Sequence, residues 1–422
     1  MTDGRDSSET GKWGRLKLGF GRIRHFWQYF PEVRHWFWKR RIRRQVEADR
    51  RAGRKPLLFV LTVYGHRQFI RPVMDMLRSG TYAGKYSLYL ALDQKDDLPE
   101  GDLLGVERWK IRPYPDYLGV SSEFDALLAA DIAERFPPAE TPVRIWSGHG
   151  LPSKWLSASE DWISKYTHYF VSGALDERFI NAVLEQSPHL REHFRTEQVG
   201  YPKSDILLGM KGQRDEILRG LGLDPKLPTI LYAPAFNEGT SLPRYGEELI
   251  RTLAGIVGVN ILVKLHPVSY DRSVIGVHSN GQYWPDILKK YEGERFVHAG
   301  NVEVMPCLEG ADLLLTDVSG VAMEYLLLDR PVVYLESPDF FRGIGVANDG
   351  GGNLLVNVGR PAGVEVGDLR DLERVLKEEL ANPRRRSEAR QGIARQLIYN
   401  SGHATEVAVR VLEGILEGNK TD

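Results

Sequence analysis

The stretch Asn260-Ile-Leu-Val-Lys-Leu-His-Pro267 is an apolar strand pattern that ends at a lysine, a histidine and a proline. A second apolar run, Ala311-Asp-Leu-Leu-Leu-Thr-Asp-Val-Ser-Gly320, ends in polar residues, and a third, Val332-Val-Tyr-Leu-Glu336, follows a short helical segment. Apolar runs of this length that alternate with helical segments predict a parallel sheet with crossover helices. In such sheets ligands bind beyond the carboxyl ends of the strands, where the polar residues of these runs are expected.

The residues after the second run form a predicted phosphate site. A helix that begins after Thr316-Asp-Val-Ser319 presents unpaired N–H groups and a positive dipole end to a ligand. The hydroxyls of Thr316 and Ser319 suit phosphate oxygens or serve as plain helix caps, and Asp317 can brace the turn instead. On the helix, Glu324 can reach a ribose hydroxyl or face solvent. The predicted substrate-binding residues here are Thr316, Asp317, Ser319, Gly320 and Glu324.

Length and composition predict a soluble protein of two domains. The chain has 422 residues, which is more than one ordinary core accommodates, and it is 42% hydrophobic and 27% charged. Its single cysteine, Cys307, excludes an internal disulfide framework and fits a reducing compartment. No apolar run approaches the roughly 18 residues that cross a bilayer, and no secretory signal is recognised at the N-terminus. We therefore expect a cytoplasmic protein.

The first 55 residues mix aromatic and basic side chains. Apolar residues fall at helical spacing before Pro31, and Trp36, Phe37 and Trp38 then precede the basic run Lys39-Arg-Arg-Ile-Arg-Arg44. This pattern is typical of a helix that lies on an anionic membrane surface. The alternatives are a helix packed on its own domain and an arm that binds nucleic acid. We expect no nucleic-acid partner. Deletion of residues 1–54 is expected to leave a folded, soluble protein.

A first α/β unit is predicted from Leu57 onwards. Strands are expected at residues 57–64, 86–93, 143–146, 168–173 and 197–202, with a helix at residues 122–134. The strand Val143-Arg-Ile-Trp146 runs into Ser147-Gly-His-Gly-Leu-Pro-Ser-Lys154. The glycines allow tight backbone geometry and the proline stiffens the exit. His149 and Gly150 are therefore expected where a sheet places its ligands.

Tyr201-Pro-Lys-Ser-Asp205 is the predicted crossing point into a second α/β unit, which opens with Pro228-Thr-Ile-Leu-Tyr-Ala-Pro-Ala-Phe236. Two consecutive Rossmann-like domains that face a cleft describe the glycosyltransferase B architecture. We expect a membrane-associating helical arm at residues 1–55, an acceptor domain at residues 56–204 and a nucleotide-donor domain at residues 205–422.

His149 and His266 each end a buried strand, one in each predicted domain. Either alone can be a structural histidine, but their placement on opposite walls of a cleft favours catalysis. Lys264 lies two residues before His266, on the same face of a strand, and can steady a diphosphate or be a solvated edge residue. The chain lacks zinc-ligand spacing, Gly-x-Gly-x-x-Gly and a Walker sequence, which argues against a dinucleotide oxidoreductase or a P-loop NTPase. No cofactor or metal is predicted.

An ordered set of short motifs resembles the CDP-glycerol glycerophosphotransferases of teichoic-acid synthesis. These motifs are Gly148-His-Gly-Leu-Pro152, Val199-Gly-Tyr-Pro-Lys-Ser-Asp205, Ile230-Leu-Tyr-Ala-Pro-Ala-Phe236, Lys264-Leu-His-Pro267, Thr316-Asp-Val-Ser319 and Arg330-Pro-Val-Val-Tyr334. The resemblance spans nearly half of the chain. The chain departs from the family at Leu151, where the family usually has threonine, and at Val318 and Gly320, where it usually has tyrosine and serine.

The resemblance implies a bacterial, membrane-associated enzyme with a CDP-glycerol donor or a related CDP-polyol, and catalytic roles for His149 and His266. It also places Lys203, in the second motif, among the substrate-binding residues. We expect transfer of a polyol phosphate to a hydroxyl of a lipid-linked or growing wall polymer, with release of CMP, at the cytoplasmic face of the membrane. The alternatives are a sugar-nucleotide glycosyltransferase or epimerase on the same fold and a catalytically silent membrane scaffold.

Overall fold

The structure, a computed structural model of the chain, describes residues 31–61, 67–92, 104–117, 119–130, 141–148, 150–152, 160–270, 272, 281–343 and 358–418. Its strands are β1 Lys55–Leu61, β2 Tyr86–Leu92, β3 Ile111–Pro113, β4 Ala126–Ala129, β5 Val143–Trp146, β6 His168–Val171, β7 Arg195–Gln198, β8 Thr229–Tyr232, β9 Asn260–Val263, β10 Phe296–His298, β11 Leu313–Thr316, β12 Val332–Leu335 and β13 Val364–Val366.

The α-helices are α1 Pro31–Arg51, α2 Arg67–Leu77, α3 Tyr114–Tyr117, α4 Glu160–Ile163, α5 Ala174–Gln186, α6 Pro202–Gly209, α7 Arg214–Gly220, α8 Ser241–Gly255, α9 Trp284–Leu288, α10 Val304–Gly310, α11 Val321–Tyr325, α12 Pro338–Gly343, α13 Leu369–Ala381, α14 Ser387–Leu397 and α15 Ala404–Leu416.

The first sheet is parallel, with the order β3-β2-β1-β4-β5-β6-β7 in the described part of the chain. Successive residues of β1 enter different cores: Leu57 and Phe59 pack on one face, and Leu58 and Val60 on the other. A strand buried on both faces carries a continuous apolar run, which is why β1 was recognisable in the sequence.

The predicted helix at residues 122–134 is wrong for its described part. Ala126–Ala129 forms β4, which pairs with both β1 and β5 in the middle of the first sheet. Its four residues are all buried. A short apolar run that is buried on every side has the same appearance in a strand as in a buried helix. The sheet neighbours, which the local sequence does not encode, decide the outcome.

The second sheet is also parallel, with the order β10-β9-β8-β11-β12-β13 among the described residues. From β8 the chain first builds outward through β9 and β10, and it then returns to add β11, β12 and β13 on the other side. The strand order therefore reverses between β8 and β11, which is where an open α/β sheet leaves a crevice for its ligand. Leu231 and Leu314 of this sheet share one apolar core cluster with Leu57 of the first, so the two units pack directly on each other.

Helix α1 confirms the helical segment predicted after Pro31, and it lies against the first domain. Ile42 and Val46, one turn apart, are buried beside Leu58 and Val60 of β1. Deletion of residues 1–54 would remove part of this core, which argues against the expectation that the truncated protein folds. The predicted helix before Pro31 lies outside the described residues.

A buried carboxylate fixes the end of α1. Asp49 accepts hydrogen bonds from the Tyr89 hydroxyl at 2.7 Å, from Arg54 at 2.6 Å and from Gln45 at 3.0 Å. Burial alone would raise the pKa of Asp49, but these hydrogen bonds lower it below its ordinary value. The packing alternative for the N-terminal segment therefore holds for residues 42–51.

The C-terminal segment returns to the first domain. The Tyr399 N–H donates to the Ser172 carbonyl at 2.7 Å, and a side chain at Gly173 or Gly200 would collide with the returning backbone. Gly200 also has φ of 95°, a conformation that glycine adopts readily. These two glycines let the returning chain approach closely, next to the predicted crossing point.

Hydrogen bonds also join the returning C-terminal segment to the predicted crossing between the two units. The Asn400 side chain donates to the carbonyls of Gln198 and Val199 at 2.7 and 3.1 Å. The carboxylate of Asp205 accepts from Thr405, at the start of α15, at 2.7 Å. The last helix of the chain thus packs with the first sheet, and the boundaries at residues 55 and 204 remain predictions.

Among the described residues, no helix combines the length and the apolar character that a membrane span requires.

Candidate functional site

The candidate site lies at the carboxyl ends of β8, β9 and β11, which are neighbours in the second sheet. Tyr232 is level with Val263 in β9 and with Leu315 in β11. The residues that follow these three strands therefore emerge at one edge of the sheet. This edge brings the predicted residues His266 and Thr316–Gly320 together, beside the point where the strand order reverses.

His266 is half-buried, and the contacts that orient it include a stacked ring and a backbone N–H group. Its ring stacks on Phe236, with ring centroids 4.3 Å apart and planes at 30°. Its Nδ1 accepts a hydrogen bond from the Val268 N–H at 3.2 Å. In the neutral imidazole the proton is then on Nε2, so this nitrogen is a hydrogen-bond donor. A ring held in this way suits stabilisation of negative charge better than removal of a proton.

Lys264 is engaged in the interior. The strand ends at Val263, so the strand alternation expected to align Lys264 with His266 does not extend to them. The Lys264 ammonium donates to the carbonyls of Ala299 and Gly300, each at 3.1 Å. Burial lowers the pKa of Lys264. In this structure Lys264 fastens the turn after β10 to the turn after β9, and its contact with a diphosphate remains a prediction.

A histidine that the sequence did not single out supports the same turn. The Tyr270 hydroxyl and His298 Nε2 are 2.9 Å apart, and their rings are stacked. Burial, reinforced by the Lys264 ammonium, lowers the pKa of His298 to about 4. His298 is therefore neutral near pH 7 and can hydrogen-bond the tyrosine without adding a positive charge near the Lys264 ammonium.

Asp317 joins three segments of the site, and it is 1% exposed. Its Oδ1 accepts from the N–H groups of Ala235 and Val318 at 2.8 and 2.7 Å. Its Oδ2 accepts from the N–H and the hydroxyl of Ser241 at 3.0 and 2.6 Å. The carboxylate thus connects the end of β11, the loop after β8 and the start of α8. Asp317 acts here as a brace, which is the alternative that the sequence left open.

Thr316 and Ser319 differ in the use of their hydroxyls. The Thr316 hydroxyl is buried and donates to the Ala233 carbonyl at 2.7 Å, so it ties β11 to β8. The Ser319 side chain makes no side-chain hydrogen bond within the described part of the chain and is 9% exposed. Ser319 and Gly320 begin α11, since their carbonyls accept from Ala322 and Met323. Of the two predicted hydroxyls, Ser319 is the better candidate for a ligand contact.

Glu324 is neither solvated nor open to the cleft. The Lys203 ammonium lies 2.8 Å from Glu324 Oε1, and the Tyr201 hydroxyl donates to the same oxygen at 3.0 Å. The side chains of Lys203 and Glu324 are only 4% and 6% exposed. Burial, with the neighbouring carboxylate, raises the pKa of Tyr201 well above its ordinary value, so the phenol remains a donor.

On the first sheet, β5 leads into the segment that carries the predicted residues His149 and Gly150. His149 lies outside the described residues, whereas Gly148, with φ of 70°, and the exposed Gly150 flank it. The Trp146 ring stacks on Tyr169 with centroids 3.9 Å apart. The Tyr169 hydroxyl in turn donates to Asp176 at 2.6 Å. A stacked and hydrogen-bonded aromatic pair therefore lies at the end of β5, just before the predicted catalytic histidine in sequence.

Sequence reasoning missed the supports of the site. Phe236, Tyr201 and His298 each contact a predicted residue or its turn. Asp176 accepts from Tyr169, whose ring stacks on Trp146 at the end of β5. Phe236 and Tyr201 lie inside the quoted motifs, which is the signal that would have found them. Nothing local marks His298 and Asp176, because their partners come from other segments. No cluster of three or more metal-ligating side chains occurs in the portions of the chain that the structure describes.

Comparison with known proteins confirms the resemblance and the fold. The family model for CDP-Glycerol:Poly(glycerophosphate) glycerophosphotransferase matches residues 165–340. The search of curated proteins found no match. The wall teichoic acid polymerase TagF superposes with a TM-score of 0.63 at 16% identity, over 94% of this chain and 98% of that chain.

Two further solved structures have the same fold. A TagF variant soaked with CDPG has a TM-score of 0.62 at 16% identity, and covers 94% of this chain and 98% of its own. A UDP-N-acetylglucosamine 2-epimerase has a TM-score of 0.54 at 13% identity, with coverage of 87% and 98%. At these identities the superpositions establish the architecture of two parallel α/β domains, as predicted.

Proposed function

We propose that this chain, a transferase of the CDP-glycerol glycerophosphotransferase type by the match of its residues 165–340, transfers a polyol phosphate from a CDP-linked donor to a hydroxyl of a lipid-linked or growing wall polymer. The observation that carries the proposal is the meeting of His266, Ser319 and Gly320 at the carboxyl edge of the second sheet, within the matched region. TagF was solved after a soak with CDPG, which supports a CDP-linked donor for this chain.

The proposed reaction is one displacement at phosphorus. The acceptor oxygen attacks the β-phosphorus, and the bond from that phosphorus to the bridging oxygen breaks, so CMP leaves with the bridging oxygen. His149 takes the proton of the acceptor hydroxyl. Since charge builds on the diphosphate as the bond breaks, the Nε2–H of His266 and the N–H groups at the start of α11 stabilise it.

The remaining predicted residues support the walls of this site. Asp317 and Thr316 fix the turn that carries Ser319, and Lys264 fixes the turn that carries His266. The exposed Gly150, next in sequence to His149, adds no side chain where we place the acceptor chain. The geometry therefore favours Ser319, Gly320 and His266 for donor contacts.

Nucleotide release tests the proposal and separates it from its rivals. The purified full-length chain is incubated with CDP-glycerol, CDP-ribitol or UDP-sugars and an acceptor, and the released CMP or UDP is measured. Release of CMP that depends on the acceptor supports the transferase. Release of UDP, or conversion of a UDP-sugar to its epimer, would instead identify a sugar-nucleotide enzyme, and no turnover would favour the scaffold.

Replacement of Ser319 with alanine is expected to weaken donor binding by about tenfold or more, since one hydrogen bond to a charged phosphate contributes roughly 1.5–3 kcal/mol. Calorimetric titration with CDP-glycerol measures the effect. Ser164→Ala, which removes an exposed serine hydroxyl of the first domain, is the matched control. An unchanged dissociation constant would remove Ser319 from the site.

We further propose that the exposed face of α1 holds the enzyme on an anionic membrane. Trp36 and Phe37 are 54% and 50% exposed, and Arg40 and Arg44 lie beside them on a solvent-facing side. The aromatic rings would enter the interface while the arginines attract anionic headgroups. Since α1 packs on the first domain through Ile42 and Val46, membrane binding would hold the predicted acceptor domain against the lipid surface.

Replacement of Trp36 and Phe37 together with serine is expected to reduce binding to anionic vesicles by about tenfold or more, because each ring loses apolar area that the interface buries. Co-sedimentation with vesicles of known anionic lipid content measures this. Val257→Ser, which changes an exposed apolar residue of the second domain (64% exposed), should have no effect. Equal binding by both variants would show that α1 does not contact lipid.

A further inference from the structure

We propose that Lys203 and Glu324 form a positioning pair that sets the alignment of the two domains, and thereby places the general base against the donor phosphate. The inference rests on the proposed function for its kinetic consequence. Its structural part, the alignment itself, is independent of the substrate. Neither residue is given a contact with donor or acceptor.

The charged groups of the pair are not accessible from the cleft. The Lys203 and Glu324 side chains are 4% and 6% exposed and lie 2.8 Å apart. A bound nucleotide would have to displace the surrounding residues before it reached either charge. Direct substrate binding, which the sequence suggested for both residues, is therefore the weaker assignment.

The pair joins three elements from different parts of the molecule. Glu324 belongs to α11, the helix that begins at the predicted donor residues Ser319 and Gly320. Lys203 and Tyr201 belong to the chain crossing between the sheets, and both contact the same carboxylate oxygen. The Lys203 ammonium also lies 4.8 Å from the centre of the Phe69 ring, in α2 of the first domain.

The charge arrangement makes these contacts mutually dependent. The Lys203 ammonium and the Tyr201 hydroxyl both donate to Oε1 of Glu324. Oε2 of Glu324 is buried from solvent and accepts no hydrogen bond from any described residue. The positive charge of Lys203 thus neutralises the buried carboxylate of Glu324, and the negative charge of Glu324 neutralises the buried ammonium of Lys203. If one charge is removed, the other is left without its partner in the interior, which weakens the attachment of the second domain to the crossing and to α2.

A movement at this point would act on the reaction through geometry. Ser319 and His266 lie in the second domain, and His149 belongs to the segment after β5 of the first. Lys203 contacts α2 of the first domain and Glu324 lies on α11 of the second, so a small rotation at the pair changes the distance between the predicted base and the donor while the contacts within the second domain persist. Misplacement of reacting groups by about 1 Å can cost on the order of 10²-fold in rate. The expected signature is a lower kcat with donor binding preserved.

Three variants of the full chain test the pair. Lys203→Met is expected to lower kcat by about 10²-fold and to leave the CDP dissociation constant within about threefold. Glu324→Gln keeps the shape and the acceptor for Tyr201, and its loss in kcat should be smaller. The double exchange Lys203→Glu with Glu324→Lys restores opposite charges and should recover most of the lost rate. Lys85→Met, which breaks the exposed pair with Glu413 at 3.0 Å, is the matched control.

A distance measurement provides a readout that does not depend on catalysis. Spin labels at Glu47→Cys in α1 and Arg251→Cys in α8 report the separation of the two domains, since both positions are exposed. Cys307 is buried and is not expected to react with the label. Lys203→Met should broaden or shift the distance distribution, and the double exchange should return it to that of the wild type.

The outcomes are distinct. A folded Lys203→Met protein with unchanged distances and a kcat within threefold of wild type would overturn the proposal. A lower melting temperature with normal kinetics and distances would also overturn it, because the pair would then be merely stabilising. If Lys203→Met fails to fold, Glu324→Gln and the double exchange decide by the same measurements. If wild type releases no CMP, the proposed function fails, whereas the distances still decide whether the pair aligns the domains.

Discussion

Replacing His149 with alanine is expected to lower kcat by about 10²–10⁴-fold, the usual contribution of a general base, while CDP binding stays within about threefold of wild type. The reason is that the predicted base and the predicted donor residues belong to different sheets. His149 follows β5 of the first sheet, whereas the donor residues His266 and Ser319 follow strands of the second. Loss of the base should therefore affect the chemical step and spare nucleotide affinity. Acceptor-dependent CMP release and calorimetry measure the two quantities.

The control for this variant is His193→Ala, an exposed histidine of the same domain. It should retain wild-type kinetics. If His149→Ala keeps its activity within about tenfold, another group accepts the proton, and the general-base assignment is wrong. A parallel loss of CDP binding would instead place His149 at the donor.

Replacing Asp317 with alanine is expected to lower the free energy of unfolding by about 3 kcal/mol or more and to abolish donor binding. Four hydrogen-bond donors of the protein lose their acceptor, and each buried N–H or O–H group left unsatisfied costs roughly 1–3 kcal/mol. Asp317→Asn should be milder, since its amide oxygen can still accept from Ala235 and Val318, but its NH₂ cannot accept from Ser241. Denaturant titration gives the stability, and CDP titration gives the binding.

Asp286→Ala is the matched control, because Asp286 is 66% exposed and pairs with Arg272 at 3.1 Å on the surface of the same domain. Such a pair contributes roughly 0–1 kcal/mol. Donor binding by Asp317→Ala at wild-type affinity would show that the turn before α11 does not need its carboxylate. The brace would then have no bearing on the site.

The sequence was informative where burial leaves a local trace. Strand β5 was predicted with its observed bounds. Strands β9, β11 and β12 were predicted within a few residues, because they are buried throughout and such strands carry nearly continuous apolar runs. The same rule failed at Ala126–Ala129, where four buried residues are too few to show a period. Helix α8 was missed, and Gly246, with φ of 61°, interrupts its periodicity.

For the site, residue types were predictable and their partners were not. The strand-end rule correctly brought His266 and Ser319 to one edge. Whether a polar side chain faces a ligand or the protein depends on neighbours distant in sequence. Lys264 meets carbonyls 35 and 36 residues away, and Glu324 meets Lys203 at a separation of 121 residues. Chemistry-bearing residues can thus be selected from the chain, but their division into contacts and braces requires the fold.

The return of the C-terminal segment gives the molecule two chain crossings side by side. One is at Val199–Asp205 and the other at Leu397–Thr405, and Asn400 hydrogen-bonds the first from the second. A body attached at one point can turn about three axes, whereas a body attached at two points turns about the line that joins them. Two adjacent crossings therefore favour rotation of one domain about the line that joins them over other relative motions of the domains.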